Sequence, residues 1–355
     1  MAVGLPAKTT YANGDVFSAS DINDTNGTIN LIGQTQNFYA GKNAIINGDF
    51  NIWQRGSSFT GNGGITYTAD RTAYYYDGNG AVTISRQSFT PGTAPVAGYE
   101  GQYFYRYAQT TAGTGQTYAA FYYQPVEDVR TFAGRTVTLS FWAKADAART
   151  YTAYVNQYFG SGGSSEVTNS TTFTTTTGWV RYSYTVTLGS LTGKTIAATS
   201  WLSIRIEPNA KNTAQTLDIW GVQLETGSVA TAFETATGTI QGELAACQRY
   251  YYRTGEISSY GVIGVASLIS NTSGRASVAL PVTMRTLPTS IDSSTLAIGI
   301  PGSSAVAISS VALSNTSLNY PTISFTFPTN FSANQIVMLT ANNSTSAYLG
   351  FSAEL

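Results

Sequence analysis

Histidine is absent from the 355 residues, and cysteine occurs once, as Cys247. Without an imidazole the chain cannot build Ser-His-Asp triads, Cys-His pairs, histidine-ligated zinc or imidazole proton shuttles. A single thiol excludes an intrachain disulfide and leaves the redox compartment open. Charge is scarce too: Asp, Glu, Lys and Arg make up 10% of the chain, against about 25% in a typical globular domain. With 18 basic and 19 acidic residues, no cationic excess exists to neutralise phosphates, and nucleic acid is not expected as a partner. No apolar run approaches the roughly 18 residues of a membrane span. The opening MAVGLPAKTTYANGD has neither a basic n-region nor an apolar stretch of about 7–15 residues. The expectation is a protein made in the cytoplasm, without membrane insertion.

What the chain does contain is Gly (35 residues), Tyr (24) and many short runs of β-branched and aromatic residues. RTVTLSFWAKA (135–145), RTYTAYVNQYF (149–159), WVRYSYTVTL (179–188) and WLSIRIE (201–207) are separated by Gly-rich turn signals. Such spacing predicts an all-β fold of sandwich type. Two segments have helical periodicity. ASDINDTNGTINLIG (19–33) places Ile22, Ile29 and Ile32 on one face, and TIQGELAACQRYYY (239–252) aligns Ile240, Leu244, Cys247 and Tyr251. Cys247 is expected to pack inward. After Tyr252 only Arg253, Glu256, Arg275, Arg285, Asp292 and Glu354 are charged, and seven strand-like runs follow. The predicted organisation is a short helical N-terminal arm (1–40), a sandwich (41–237), a linker helix (238–252) and a smaller C-terminal β-sandwich (253–355).

Clustered aromatics are the most suggestive candidates for a binding surface: Tyr74 to Tyr76, Tyr103 to Tyr107, and Phe121 to Tyr123. Strand alternation puts Tyr103, Tyr105 and Tyr107 on one face and Phe104 and Arg106 on the other. Such rings serve either as a platform on which sugar faces stack or as core. The candidate glycan-binding residues are Tyr74, Tyr76, Tyr103, Tyr105, Tyr107 and Tyr123. Glu127 and Asp128 are adjacent carboxylates. Sugar hydrolysis needs two carboxyls about 5–10 Å apart across a substrate, whereas neighbours on a strand diverge, so no catalytic pair is expected.

NAIINGDFNIWQRG (43–56), SFWAKAD (140–146), GWVRYSYTVT (178–187) and LDIWGVQLETGSVATAFE (217–234) together resemble jelly-roll modules of bacteriophage tail and appendage proteins. They also resemble the jelly-roll carbohydrate-binding modules of secreted glycosidases. LPAKTTYANGDVFSASDINDTNGTIN (5–30) is similar to the attachment segment of phage fibres, and LGFSAEL (349–355) to their ends. The resemblance implies a jelly roll in a virion tail fibre or appendage, joined to other virion proteins through residues 1–40. It further implies a homotrimer that recognises host surface polysaccharide without catalysis. A capsid or neck decoration protein, and a glycan-active enzyme or its binding module, are the alternatives. If the first and last jelly-roll strands pair as in carbohydrate-binding modules, Asp49 and Asn51 sit beside Asp218, where a structural calcium would bind. No other cofactor is expected.

Overall fold

The computed structural model describes residues 41–355 apart from 62, 97, 255–257, 300–303 and 329–330. The expected helical arm, its isoleucine stripe and the attachment segment lie outside the described residues. Alternating runs form two six-stranded antiparallel sheets. The first has the spatial order β1 (Ser58–Thr60), β4 (Val82–Ser88), β5 (Tyr103–Gln109), β12 (Gln215–Thr226), β7 (Thr136–Ala145), β10 (Val180–Thr187). The second runs β2 (Ile65–Tyr67), β3 (Ala73–Tyr76), β6 (Ala119–Glu127), β11 (Trp201–Pro208), β8 (Thr150–Tyr158), β9 (Val167–Thr174). From β5 to β8, and again from β10 to β12, each strand crosses to the opposite sheet. That weave is jelly-roll connectivity.

One core fills the space between the sheets. Ile84, Tyr105, Tyr107, Leu139, Phe141, Leu217 and Ile219 meet Phe121, Tyr122, Tyr151, Val155, Ile204 and Ile206. Burying each large side chain contributes about 1.5–3 kcal/mol.

The NAIINGDFN segment closes this sandwich through polar pins. Asn43 donates to the carbonyls of Val222 and Glu234 at 3.1 and 3.0 Å, and its Oδ1 accepts from Ile45 and Leu224 N–H groups. Asn47, with φ 60°, donates to the carbonyls of Ile52 and Asp70 and accepts from Ile52 N–H. At Gly48 a Cβ would lie 2.2 Å from the Val222 carbonyl oxygen, so no side chain fits there.

Among the described residues there is one helix, α1 (Ile240–Gln248), capped by Thr239, whose hydroxyl accepts from Gly242 N–H. Cys247 is buried, yet the expected apolar stripe is not the one that packs: Ile240 and Leu244 are exposed. Glu243 takes the inward place. Its carboxylate accepts from the N–H groups of Asn47 and Thr237 at 2.8 and 2.7 Å, completing the turn that Asn47 begins.

Beyond α1, β13 (Tyr251–Arg253), β22 (Tyr348–Ser352) and β16 (Ser290–Ser294) form a three-stranded sheet. It faces a seven-stranded sheet of order β18 (Val306–Ala307), β17 (Leu296–Gly299), β21 (Ile336–Ala341), β14 (Val262–Ser270), β15 (Ser273–Ser277), β20 (Thr322–Thr326), β19 (Ser310–Asn315). Leu349 and Phe351 join Leu268, Leu339, Ile323 and Phe325 in a second core. The two sandwiches are joined by ions. Glu354 pairs with Arg55 at 3.1 Å and with Arg71, a residue 1% exposed whose guanidinium also donates to the Pro125 carbonyl.

Breaking a buried pair from one side typically costs about 3–5 kcal/mol, because the remaining charge stays buried and unpaired. Glu354→Ala is therefore expected to lower the unfolding free energy by about 3–5 kcal/mol, measured by urea denaturation. A loss under about 0.5 kcal/mol, the scale of an ordinary surface substitution, would show that the pair does not hold the sandwiches together.

Candidate functional site

Four of the six candidate tyrosines are core. Tyr74, Tyr76, Tyr105 and Tyr107 are 2%, 0%, 0% and 0% exposed. Tyr107 stacks on Phe121 with centroids 3.5 Å apart, and Tyr105 packs between Phe50, Trp53 and Tyr122. No glycan reaches these rings. The opposite face of β5 is no platform either, since Phe104 is covered by Phe89 and Trp179 in a cluster that continues through Trp220 to Tyr99, Trp142 and Phe233. Tyr103 is half-buried beneath the Arg86 guanidinium at 4.4 Å.

The calcium expectation also fails on geometry. Backbone bonds from Val222 N–H to Gly48 and from Ala44 N–H to Leu224 set the opening segment against residues 222–224, not beside Asp218. Asp218 is instead held by Arg106 at 2.6 and 2.8 Å and by Lys144 at 3.6 Å, which neutralise its carboxylate. Asp49 accepts from Asn51 and the Tyr99 hydroxyl, and burial pushes its carboxyl above the usual range. A hard cation needs converging anionic oxygens. Asp49, Asn51 and Asp218 do not supply them, and among the described residues no three His, Cys, Asp or Glu side chains gather.

Tyr123 alone of the candidates opens onto a different surface, the outer face of the second sheet. The register places Tyr123 opposite Arg205, and Arg205 opposite Tyr154. Two residues along, Pro125, Ser203, Asn156 and Thr168 form the next row, and beyond it lie Glu127, Trp201 and Tyr158. Strand alternation keeps these rows on one face, because the intervening Ala153, Val155, Ile204 and Leu202 point into the core. A concavity of about 260 Å³ at one end is lined by Ile65, Tyr75, Tyr118, Ala120, Tyr123, Arg205 and Glu207. Tyr75 and Tyr118 meet edge to face at 6.4 Å, and at the other end Tyr158 and Trp201 lie 4.3 Å apart.

The face is aromatic and electrically balanced. Arg205 sits over the Tyr154 ring at 4.4 Å and pairs with Glu207, which Lys211 also approaches at 3.6 Å. Glu127 is held by Arg249 at 3.0 Å and by the Tyr250 hydroxyl, while Asp128 pairs with Arg130. Burial pushes the Tyr123 hydroxyl up to about 12, so it stays a hydrogen-bond donor at neutral pH. Sequence reading named Tyr75 within its aromatic cluster without choosing it, and passed over Tyr118, Tyr154, Tyr158, Trp201 and Arg205. For Tyr154, Tyr158, Trp201 and Arg205 the signal lay in the predicted strands 149–159 and 201–207, where rings alternate with small and aliphatic residues.

No protein-family model matches the chain, and no curated protein matches it. Among solved structures it is similar to a CBM4 carbohydrate-binding module, with 18% identity over 51% of this chain and 98% of that one and a TM-score of 0.31. It is similar to the enzymatically active domain of bacteriophage CBA120 tailspike protein 4, with 13% identity, 52% of this chain, 22% of that chain and a TM-score of 0.31. It is also similar to the CBM22-1 xylan-binding domain of Paenibacillus barcinonensis Xyn10C, with 12% identity, 54% and 98% coverage and a TM-score of 0.32.

The assignment of Tyr107 to the core has a direct check. Its hydroxyl has no hydrogen-bond partner among the described residues, so Tyr107→Phe is expected to leave thermal stability unchanged or raise it. Tyr107→Ala opens a cavity and should cost about 3–5 kcal/mol. A stable Ala variant would mean that the ring is not packed as described.

Proposed function

We propose that the central sandwich binds carbohydrate and that the outer face of its second sheet is the binding surface. The observation that carries this reading is the set of part-exposed rings of Tyr75, Tyr118, Tyr123, Tyr154, Tyr158 and Trp201 on one sheet face. Tyr and Trp join an apolar face to a polar edge, which matches a pyranose, whose C–H face stacks while its hydroxyls bond. Tyr154 and Tyr158 are four residues apart, or about 13 Å along the strand, the reach of a short oligosaccharide. The paired charges leave little field across the face, and this supports a neutral glycan. The ion-paired state of Glu127 and Asp128 supports binding rather than hydrolysis.

The likeness of residues 5–30 and 217–234 to phage appendage sequences supports a virion setting. In that setting residues 1–40 attach to other virion proteins, the chain assembles as a homotrimer, and the ligand is host surface polysaccharide. Valency matters to this reading. Each ring contact adds about 0.5–1.5 kcal/mol beyond area burial, so one shallow site has an affinity of roughly millimolar order. Three linked sites raise apparent binding by about 10²–10⁴-fold where receptor spacing permits.

Calorimetry against neutral oligosaccharides tests the surface. Tyr123→Ala, Tyr154→Ala and Trp201→Ala are each expected to weaken binding by about 2–13-fold. Raising salt from about 0.05 to 0.5 M should change the affinity by less than about twofold. Full affinity in all three variants, or binding that collapses with salt, would overturn the reading.

A further inference from the structure

The polar row between the two aromatic rows contains a feature that packing does not explain. Asn156 is completely buried, yet neither its Nδ2 nor its Oδ1 has a hydrogen-bond partner among the described residues. Its neighbours on the same strand face are Tyr154 and Tyr158, and across the sheet it faces Ser203 and Thr168. Buried carboxamides elsewhere in the sandwich are better satisfied: Asn43 and Asn47 use both their donor and acceptor atoms, and Gln109 leaves its Oε1 unpaired but donates to the Tyr76 hydroxyl. A buried amide left unpaired is a standing cost to the folded state, and relief of that cost on binding is a source of selectivity.

Resting on the glycan-binding reading, we propose that the Asn156 carboxamide is the specificity element of this face, reading a vicinal pair of hydroxyls at the middle of the bound sugar chain. One hydroxyl donates to Oδ1 and its neighbour accepts from Nδ2, which satisfies both orphaned atoms at once. The flanking rings of Tyr154 and Tyr158 are part-exposed. Surface side chains of that kind change rotamer within ps–ns, so a ligand that stacks on these rings turns them aside and uncovers the amide. Rings thus supply sequence-tolerant affinity, and the amide decides which sugar is accepted.

The probes are tetrasaccharides of glucose, galactose, mannose and N-acetylglucosamine, together with deoxy analogues of the best binder that lack one hydroxyl of a vicinal pair. The wild type is expected to bind one or more of the neutral hexose chains and to lose about tenfold or more in affinity when one of the paired hydroxyls is removed. Asn156→Leu keeps the branched outline of the side chain and replaces both polar atoms with methyl groups. It should retain a cooperative melting transition, bind about tenfold or more weakly, and bind the native and deoxy sugars alike. If the wild type binds none of the sugars, the carbohydrate reading and this inference fall together. If the wild type binds and Trp201→Ala weakens that binding, while Asn156→Leu keeps full affinity and full discrimination, only the role of Asn156 is overturned. Preference for an acetamido group over a hydroxyl pair would also overturn it.

Discussion

Arg71 is a fully buried guanidinium, and the fold is arranged so that its charge meets a carboxylate. It occupies the left-handed region at φ 65°, donates to the Pro125 carbonyl at 2.6 Å, lies 3.5 Å from the Tyr250 ring centroid, and meets Glu354. These partners come from β6, the segment after α1 and the end of the C-terminal sandwich. Arg55 adds a second cation against Glu354 and stacks on Tyr251 at 3.5 Å. Asp70 supplies a second buried carboxyl, bonded to Gln54, so two positive groups stand near two acidic ones. A buried charge that loses its partner costs far more than a surface pair returns, and this asymmetry forces the two sandwiches to dock in one arrangement.

The same constraint reaches the candidate binding face. Pro125, whose carbonyl Arg71 holds, lies in the row that continues through Ser203 to Asn156. Glu127, two residues further along β6, is fixed by Arg249 and Tyr250 at the end of α1. One border of the aromatic face is therefore built by residues that also join the sandwiches. A site set on strands held in this way is positioned more rigidly than one carried on loops.

Strands were legible because alternation is a local property: the runs at 135–145, 149–159, 179–188 and 201–207 became β7, β8, β10 and β11 with small changes at their ends. The function of each aromatic cluster was not. Tyr103, Tyr105 and Tyr107 do share a face as alternation requires, but only topology decides that this face meets Phe121 and Tyr122. The other face is covered by Phe89, from the connection that leads into β5, and by Trp179, which arrives with β10 from a distant part of the chain. Asp218 failed as a metal ligand for a similar reason. The opening segment pairs several residues further along β12, and Arg106 and Lys144 come from the strands on either side. α1 shows the limit of periodicity, since an acidic residue occupies its inward face once two backbone N–H groups need an acceptor.

The clasp at Glu354 also governs how such a protein can diversify. If distal sandwiches are exchanged between related chains, a replacement for residues 253–355 must arrive with its own carboxylate at the place Glu354 occupies, because Arg71 stays behind in the central sandwich. Recombination at the α1 boundary would thus be filtered by the one carboxylate that serves both Arg55 and Arg71, and a transplanted unit that lacks the acid leaves a buried cation without that counter-charge however well its own core packs.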